Sequence, residues 1–178
     1  MYQPDQLIKV TQGELERTTN ARTEIQLRFQ LAVETLNAGD PEAALQEFRN
    51  MEVRLQALGG SLGVQGQVEL RLRKASAMMR LGELENCRQH HGPQSCLFPI
   101  EPGGYHQLPR GSRGAIVLLE EQLKEFPEDV GSRWLLNIAY MTLGQWPDKV
   151  PAPWLISPQV FASEYPLPRF PDVAGSLG

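Results

Sequence analysis

From about Asp5 to Leu143 the apolar residues return at the spacing of an α-helix, and this period restricts the fold more than any other feature. Leu27, Leu31, Val33 and Leu36 mark one stripe, and Ala44, Leu45, Phe48, Met51 and Leu55 mark the next. Strand-like alternation is absent from this stretch. Gly39-Asp40-Pro41-Glu42 ends one helix with a glycine at C′ and opens the next with an Asp cap and a Pro at N1, which predicts a helical hairpin. By the same signals Gly59-Gly60 closes the second helix, Gly82 stops a third after Leu81, Ser112 caps a fourth, and Pro127 ends it. Glu128 and Asp129 then fall in the first turn of a helix carrying Arg133 to Leu143. The expected class is all-α.

A chain of 178 residues buries a sizeable core without a staple, so any disulfide or metal would act locally. Seventeen basic against twenty-one acidic residues give a net charge of -4, which argues against a nucleic-acid partner. Arg71, Arg73, Lys74 and Arg80 do not share one helix face and read as solvated surface. No apolar run reaches the roughly 20 residues of a membrane span, and Met-Tyr-Gln-Pro-Asp lacks the pattern of a secretory signal, so the residues alone give a soluble, cytosolic default.

Ala38-Gly39, Leu81-Gly82 and Leu143-Gly144 each resemble a helix closure, and their glycines stand 43 and 62 residues apart. Against a tetratricopeptide period of about 34 residues, the second interval carries an excess of about 28. An insertion at 84–111 accounts for it. The organisation expected is a tetratricopeptide-like helical domain at 1–144 containing that loop, followed by an arm at 145–178. Seven of the fourteen prolines fall in the arm, which excludes helix through most of it. Its Trp146, Trp154, Leu155, Ile156, Phe161, Tyr165 and Phe170 suit an extended strap packed along the final helices.

The insertion holds both cysteines and all three histidines. Cys87, His91, Cys96 and His106 form C-x3-H-x4-C-x9-H, a soft set suited to tetrahedral zinc or to copper. A Cys87–Cys96 disulfide or two free thiols are the alternatives, and two cysteines alone do not decide among them. Covalent haem is disfavoured because there is no C-x-x-C-H. A cysteine nucleophile with His91 lacks an orienting third group and an oxyanion site, so no catalytic residue is assigned. Gly111-Ser112-Arg113-Gly114 reads as a capping turn before an anion site, and Glu120 and Glu121 as surface charge. Trp134, Ile138 and Met141 recur at helical spacing, either as a partner groove or as packing beneath the arm.

Individual positions resemble a tetratricopeptide signature. Gly39, Ala44, Phe48 and Met51 match one later half and Ala115, Leu119 and Pro127 another, whereas Arg28, Thr35 and Asn137 depart from the apolar or small residues of the pattern. The phrases N-C-x3-H-x4-S-C-L-F-P-I, G-S-R-x-A-I, R-W-L-L-N-I-A-Y-M-T-L-G and R-F-x-D-V-A-x-x-L-G together resemble a wider family, over about Leu81 to Gly178. It is the tetratricopeptide region that precedes the propeller in bacterial FG-GAP/VCBS-repeat proteins of the cartilage-acidic-protein (ASPIC/UnbV) type. The resemblance implies a periplasmic or extracellular location and a propeller following a phrase like Arg169-Phe170-Pro171-Asp172-Val173-Ala174. A chain that stops at that phrase and lacks a signal peptide then reads as a fragment. The expected function is a non-catalytic protein-interaction or scaffold module that binds a protein or peptide. The alternative is a zinc- or copper-binding module, redox-active or structural, built on the Cys/His loop.

Overall fold

A computed structural model describes residues 3–90, 92, 94–95 and 97–162. His91, Cys96 and residues 163–178, with Tyr165, Phe170 and the 169–174 phrase, lie outside the described residues. The described chain forms six α-helices: α1 (Pro4–Arg17), α2 (Ala21–Asn37), α3 (Pro41–Ala57), α4 (Val64–His90), α5 (Arg110–Glu125) and α6 (Val130–Thr142). A short 3-10 turn at Pro102–Gly104 lies between α4 and α5, and two more, at Ala152–Trp154 and Pro158–Phe161, follow α6. Each α-helix packs on its sequence neighbour, and α4 also touches α6, giving an all-α stack of helical hairpins. No described helix is long and apolar enough to cross a membrane.

Local chemistry sets most of the boundaries. Asp40 caps α3 by accepting from Ala43 N at 3.0 Å, with Pro41 in the first turn and Gly39 at φ +93° closing α2. Asp129 precedes α6 and is its cap: its Oδ1 accepts from Gly131 N at 3.1 Å and Ser132 N at 3.3 Å. It therefore binds the orphan amides of the first turn from outside the helix, where the sequence placed it inside.

Helix α4 runs without a break through Gly82, where the sequence predicts a stop. A glycine in a helix interior costs about 1 kcal/mol relative to alanine, so it needs an offsetting gain. The gain here is a backbone-to-backbone crossing with α5. A Cβ placed on Gly111 would come within 2.6 Å of Gly82 Cα, and one on Gly82 would meet Gly111 Cα at 3.5 Å. The clash at Gly111 is with backbone, so this glycine is what the close approach of α4 and α5 demands, while a Cβ at Gly82 would be tight but not barred.

Because α4 is 27 residues long, about 40 Å, it serves two cores at once. Leu70 joins Ile25, Ala32, Phe48 and Met51 of α2 and α3, where Phe29 tilts against Phe48 at 5.8 Å. Ala77 and Leu81 pack with Leu45 of α3. Ala75 and Met79 face the other way, into a cluster with Ala115, Leu119, Leu123, Leu136 and Tyr140. The basic residues of α4 follow the same logic: Lys74 pairs with Glu52 of α3 at 2.8 Å and Arg71 with Glu125 of α5 at 2.8 Å. Arg73 and Arg80 pair along α4 with Glu69 and Glu83.

Residues 145–162 cross the last helices as a strap. Val150 is buried in the α4–α6 cluster, and Trp146, Trp154 and Leu155 pack against it. The polar fastening is Asn137, fully buried in α6. Its Nδ2 donates to Trp154 O at 2.9 Å, and its Oδ1 accepts from Ile156 N at 3.0 Å and Trp146 Nε1 at 3.2 Å. Arg133, one turn earlier, donates to Leu155 O at 2.8 Å. The departure from the repeat pattern at Asn137 is thus a bond to the strap.

Candidate functional site

The segment between α4 and α5 is pinned at three points. Asn86, 5% exposed on α4, pairs with both backbone groups of Leu108: Oδ1 accepts from its N–H at 2.9 Å and Nδ2 donates to its carbonyl at 3.0 Å. His106 N donates to Thr142 O at 2.7 Å, at the end of α6. The Tyr105 ring lies over Gly144, which closes α6 at φ +64°, so closely that a Cβ there would sit 2.5 Å from Tyr105 Cε2. Backbone groups that a loop would leave to water are here satisfied by helix side chains and helix ends.

Between this loop, α4 and the end of α6 lies a cavity of about 250 Å³. Its walls are Met79, Phe98, Ile100, Tyr105 and Ile138, and its polar groups include Glu83, Cys87, Thr142 and His106. Cys87 and His106, nineteen positions apart in the sequence, meet at one cavity. His91 and Cys96, the other two members of the predicted ligand set, lie outside the described residues. Among the described residues, no three His, Cys, Asp or Glu side chains converge on a point that could hold a metal ion.

The His106 ring is held by a chain of hydroxyls with a defined direction. Its Nδ1 lies 2.9 Å from Ser112 Oγ; Ser112 Oγ lies 2.7 Å from Thr142 Oγ1; Thr142 Oγ1 lies 2.8 Å from Ala139 O. The Ala139 carbonyl can only accept, and Leu143 N, its normal helical donor, bonds to Tyr140 O instead. All three contacts are satisfied when Thr142 donates to Ala139 O, Ser112 donates to Thr142, and His106 Nδ1–H donates to Ser112. The proton then sits on Nδ1, and Nε2 keeps its lone pair. The ring lines the cavity, where Nε2 makes no hydrogen bond with another described residue. Burial pushes the His106 pKa down from its ordinary value, with the Glu83 carboxylate pulling it partly back, which favours the neutral ring.

Ser112 is therefore neither the N-cap of α5 nor an anion-binding group. It lies inside the first turn, fully buried, with Pro109 in the cap position. Gly111 beside it is occupied by the crossing with Gly82. Of the predicted partner-groove residues, Met141 is 1% exposed in the core, Ile138 lines the cavity, and Trp134 stacks on Phe161 of the strap at 5.4 Å and 27°. Phe161 also meets Trp146 edge-on at 5.4 Å. Burial, joined by the 2.7 Å hydrogen bond that Tyr140 OH donates to Glu120, raises the phenol to about 12.

Reading by residue type singled out the thiols and imidazoles, took Ser112 for a cap and Asn137 for a departure from the repeat, and gave Asn86 and Thr142 no role. Their common signal is a polar residue at an apolar helical position. Comparison with family models, with curated proteins and with solved structures returns no match for this chain.

Proposed function

We propose that this chain is a non-catalytic protein-interaction or scaffold module of a larger exported repeat protein, of the kind its resemblance to the FG-GAP/VCBS-associated tetratricopeptide region implies. The observation that carries the reading is an open surface between hairpins. Two grooves of about 470 Å³ each share Leu55, Gly60 and Leu62 around the turn joining α3 to α4. Apolar Ile25, Leu58 and Leu70 line them, with Glu52, Gln56, Gln67 and Arg71 at the polar edges. An apolar floor with polar edges between packed helices suits a peptide segment whose apolar side chains anchor and whose backbone stays near the rim. The test is selection from a displayed peptide library, with Leu58→Glu as control, since Leu58 is 43% exposed and its substitution spares the core. Saturable binders lost in that variant support the reading; no enrichment above an unrelated helical protein rejects it.

A second reading, a zinc- or copper-binding module on Cys87, His91, Cys96 and His106, is favoured by the meeting of Cys87 and His106 at one cavity and by the His106 tautomer. An imidazole with its Nδ1–H donated elsewhere and Nε2 available is in the form that metals bind. Intact mass with and without thiol alkylation, together with elemental analysis, tests it. Stoichiometric metal lost in His106→Ala supports the site. A two-hydrogen mass deficit without metal instead identifies a Cys87–Cys96 bridge.

A further inference from the structure

We infer that the cavity between α4, the loop at 97–106 and α6 is a binding pocket for a small, largely apolar molecule that donates an N–H or O–H to His106 Nε2. This goes beyond the interaction reading, whose grooves lie at the α3–α4 turn.

Size comes first. An apolar cavity of about 150 Å³ in a protein core accepts benzene, so the 250 Å³ here suits a fused two-ring aromatic or an aliphatic body of similar bulk. The walls match such a body: Met79 offers a polarisable thioether, Phe98 and Tyr105 offer ring faces, and Ile100 and Ile138 offer branched aliphatic surface. Phe98 is 48% exposed, which places it at a rim through which a molecule can enter.

Polarity then selects the ligand. Asn86 is spent on Leu108 and Gly82, and Thr142 on Ala139 and Ser112, so neither is available without breaking a bond the fold uses. Ser95 Oγ accepts from Gly92 N. His106 has its Nδ1 occupied by Ser112, and its Nε2 makes no hydrogen bond with another described residue. The direction of the hydroxyl chain makes Nε2 an acceptor, so the complementary group on the ligand is a donor. Glu83, whose Oε2 pairs with Arg80 at 2.7 Å, adds negative potential near the ring and disfavours a carboxylate ligand.

Preorganisation supports the same assignment. The ring is fixed through its backbone to Thr142, through Nδ1 to Ser112, and by Gly82, where a Cβ would lie 3.3 Å from Nδ1. A ligand donor would meet an acceptor whose position is already set, which avoids the ordering cost of forming the site on binding.

Indole and indene test the inference, since the two share shape and differ in the N–H. Titration of the full chain at pH 7.5, followed by ligand-observed NMR and by the His106 ring nitrogens, is expected to show saturable indole binding and a shift at Nε2. Indene is expected to bind about tenfold more weakly, the loss of one buried hydrogen bond. Ser112→Ala removes the partner that holds the proton on Nδ1 and should shrink that preference. Ile138→Trp fills the cavity and should abolish binding of both; Ile100→Trp does the same from the loop if Ile138→Trp does not fold. Absence of saturable binding, equal binding of the two probes, or binding unchanged in the filled variants overturns the inference.

Discussion

Replacing Asn137 by alanine tests the claim that one buried amide fastens residues 145–162 to the helical stack. The side chain is fully buried and is the acceptor for Trp146 Nε1 at 3.2 Å and Ile156 N at 3.0 Å. Both donors lose that acceptor in the variant. An orphaned buried donor costs about 1–3 kcal/mol, which gives roughly 2–6 kcal/mol if the strap stays in place. The strap can instead lift and hydrate those groups, at the cost of exposing apolar surface of Trp146, Trp154 and Leu155. The smaller of the two costs is observed, and about 2–4 kcal/mol is the expected loss. All three tryptophans of the chain, Trp134, Trp146 and Trp154, lie at this interface or in the strap, so their emission reports its docking directly. Urea unfolding followed in parallel by far-UV dichroism and tryptophan emission separates the cases. A strap that lifts gives red-shifted emission before the helices melt; one that stays gives a single, earlier transition. A midpoint within error of wild type, with unchanged emission, refutes the claim that Asn137 holds the strap.

Other substitutions probe the remaining joints. Gly111→Ala drives a methyl group into the backbone of α4 at Gly82 and is expected to cost about 1–3 kcal/mol or more by urea unfolding. Gly114→Ala meets only the flexible Met78 Sδ at 2.8 Å and, with its helix-propensity gain, should be near neutral; equal losses at the two sites would contradict the crossing. Asp129→Ala removes the cap of α6 and should cost about 1 kcal/mol, with Asp129→Asn or Asp129→Ser recovering most of it. Tyr140, raised from 10.0 to about 12 by burial and Glu120, keeps its proton longer when folded than when unfolded. Its stabilising contribution is therefore complete below pH 10 and declines as pH rises through about 12, so ultraviolet titration should show a tyrosine component ionising late. A late component that persists unshifted in Glu120→Gln would leave burial alone as the cause.

The helical stack was legible because its signals are local. Gly39-Asp40-Pro41 states a helix end and a helix start in adjacent residues, and the chain obeys it. Gly82 carried the same letter with the opposite meaning. A glycine that ends a helix and a glycine that admits a crossing helix look alike in sequence, and the difference lies in Gly111, twenty-nine positions away. Only a pairing across space distinguishes them. The strap was foreshadowed by its prolines and aromatics, whereas its fastening at Asn137 read as a blemish in a repeat pattern.

That blemish is one of a set, and the set locates the cavity. Asn86, Ser112, Asn137 and Thr142 are polar and buried, at positions where a helix of a simple hairpin stack needs apolar side chains. Each bonds across an element boundary: Asn86 to the loop, Ser112 to His106 and to α6, Thr142 to α5, Asn137 to the strap. A buried amide or hydroxyl adds little net stability over an apolar residue of the same shape, so four of them together mark places where geometry had to be specified as well as filled. Three of the four converge on the loop that carries Tyr105 and His106. A loop held only to cover a core could be held by apolar contacts alone. One held by directed bonds, with an imidazole whose tautomer those bonds select, is built to present that imidazole to the adjoining cavity.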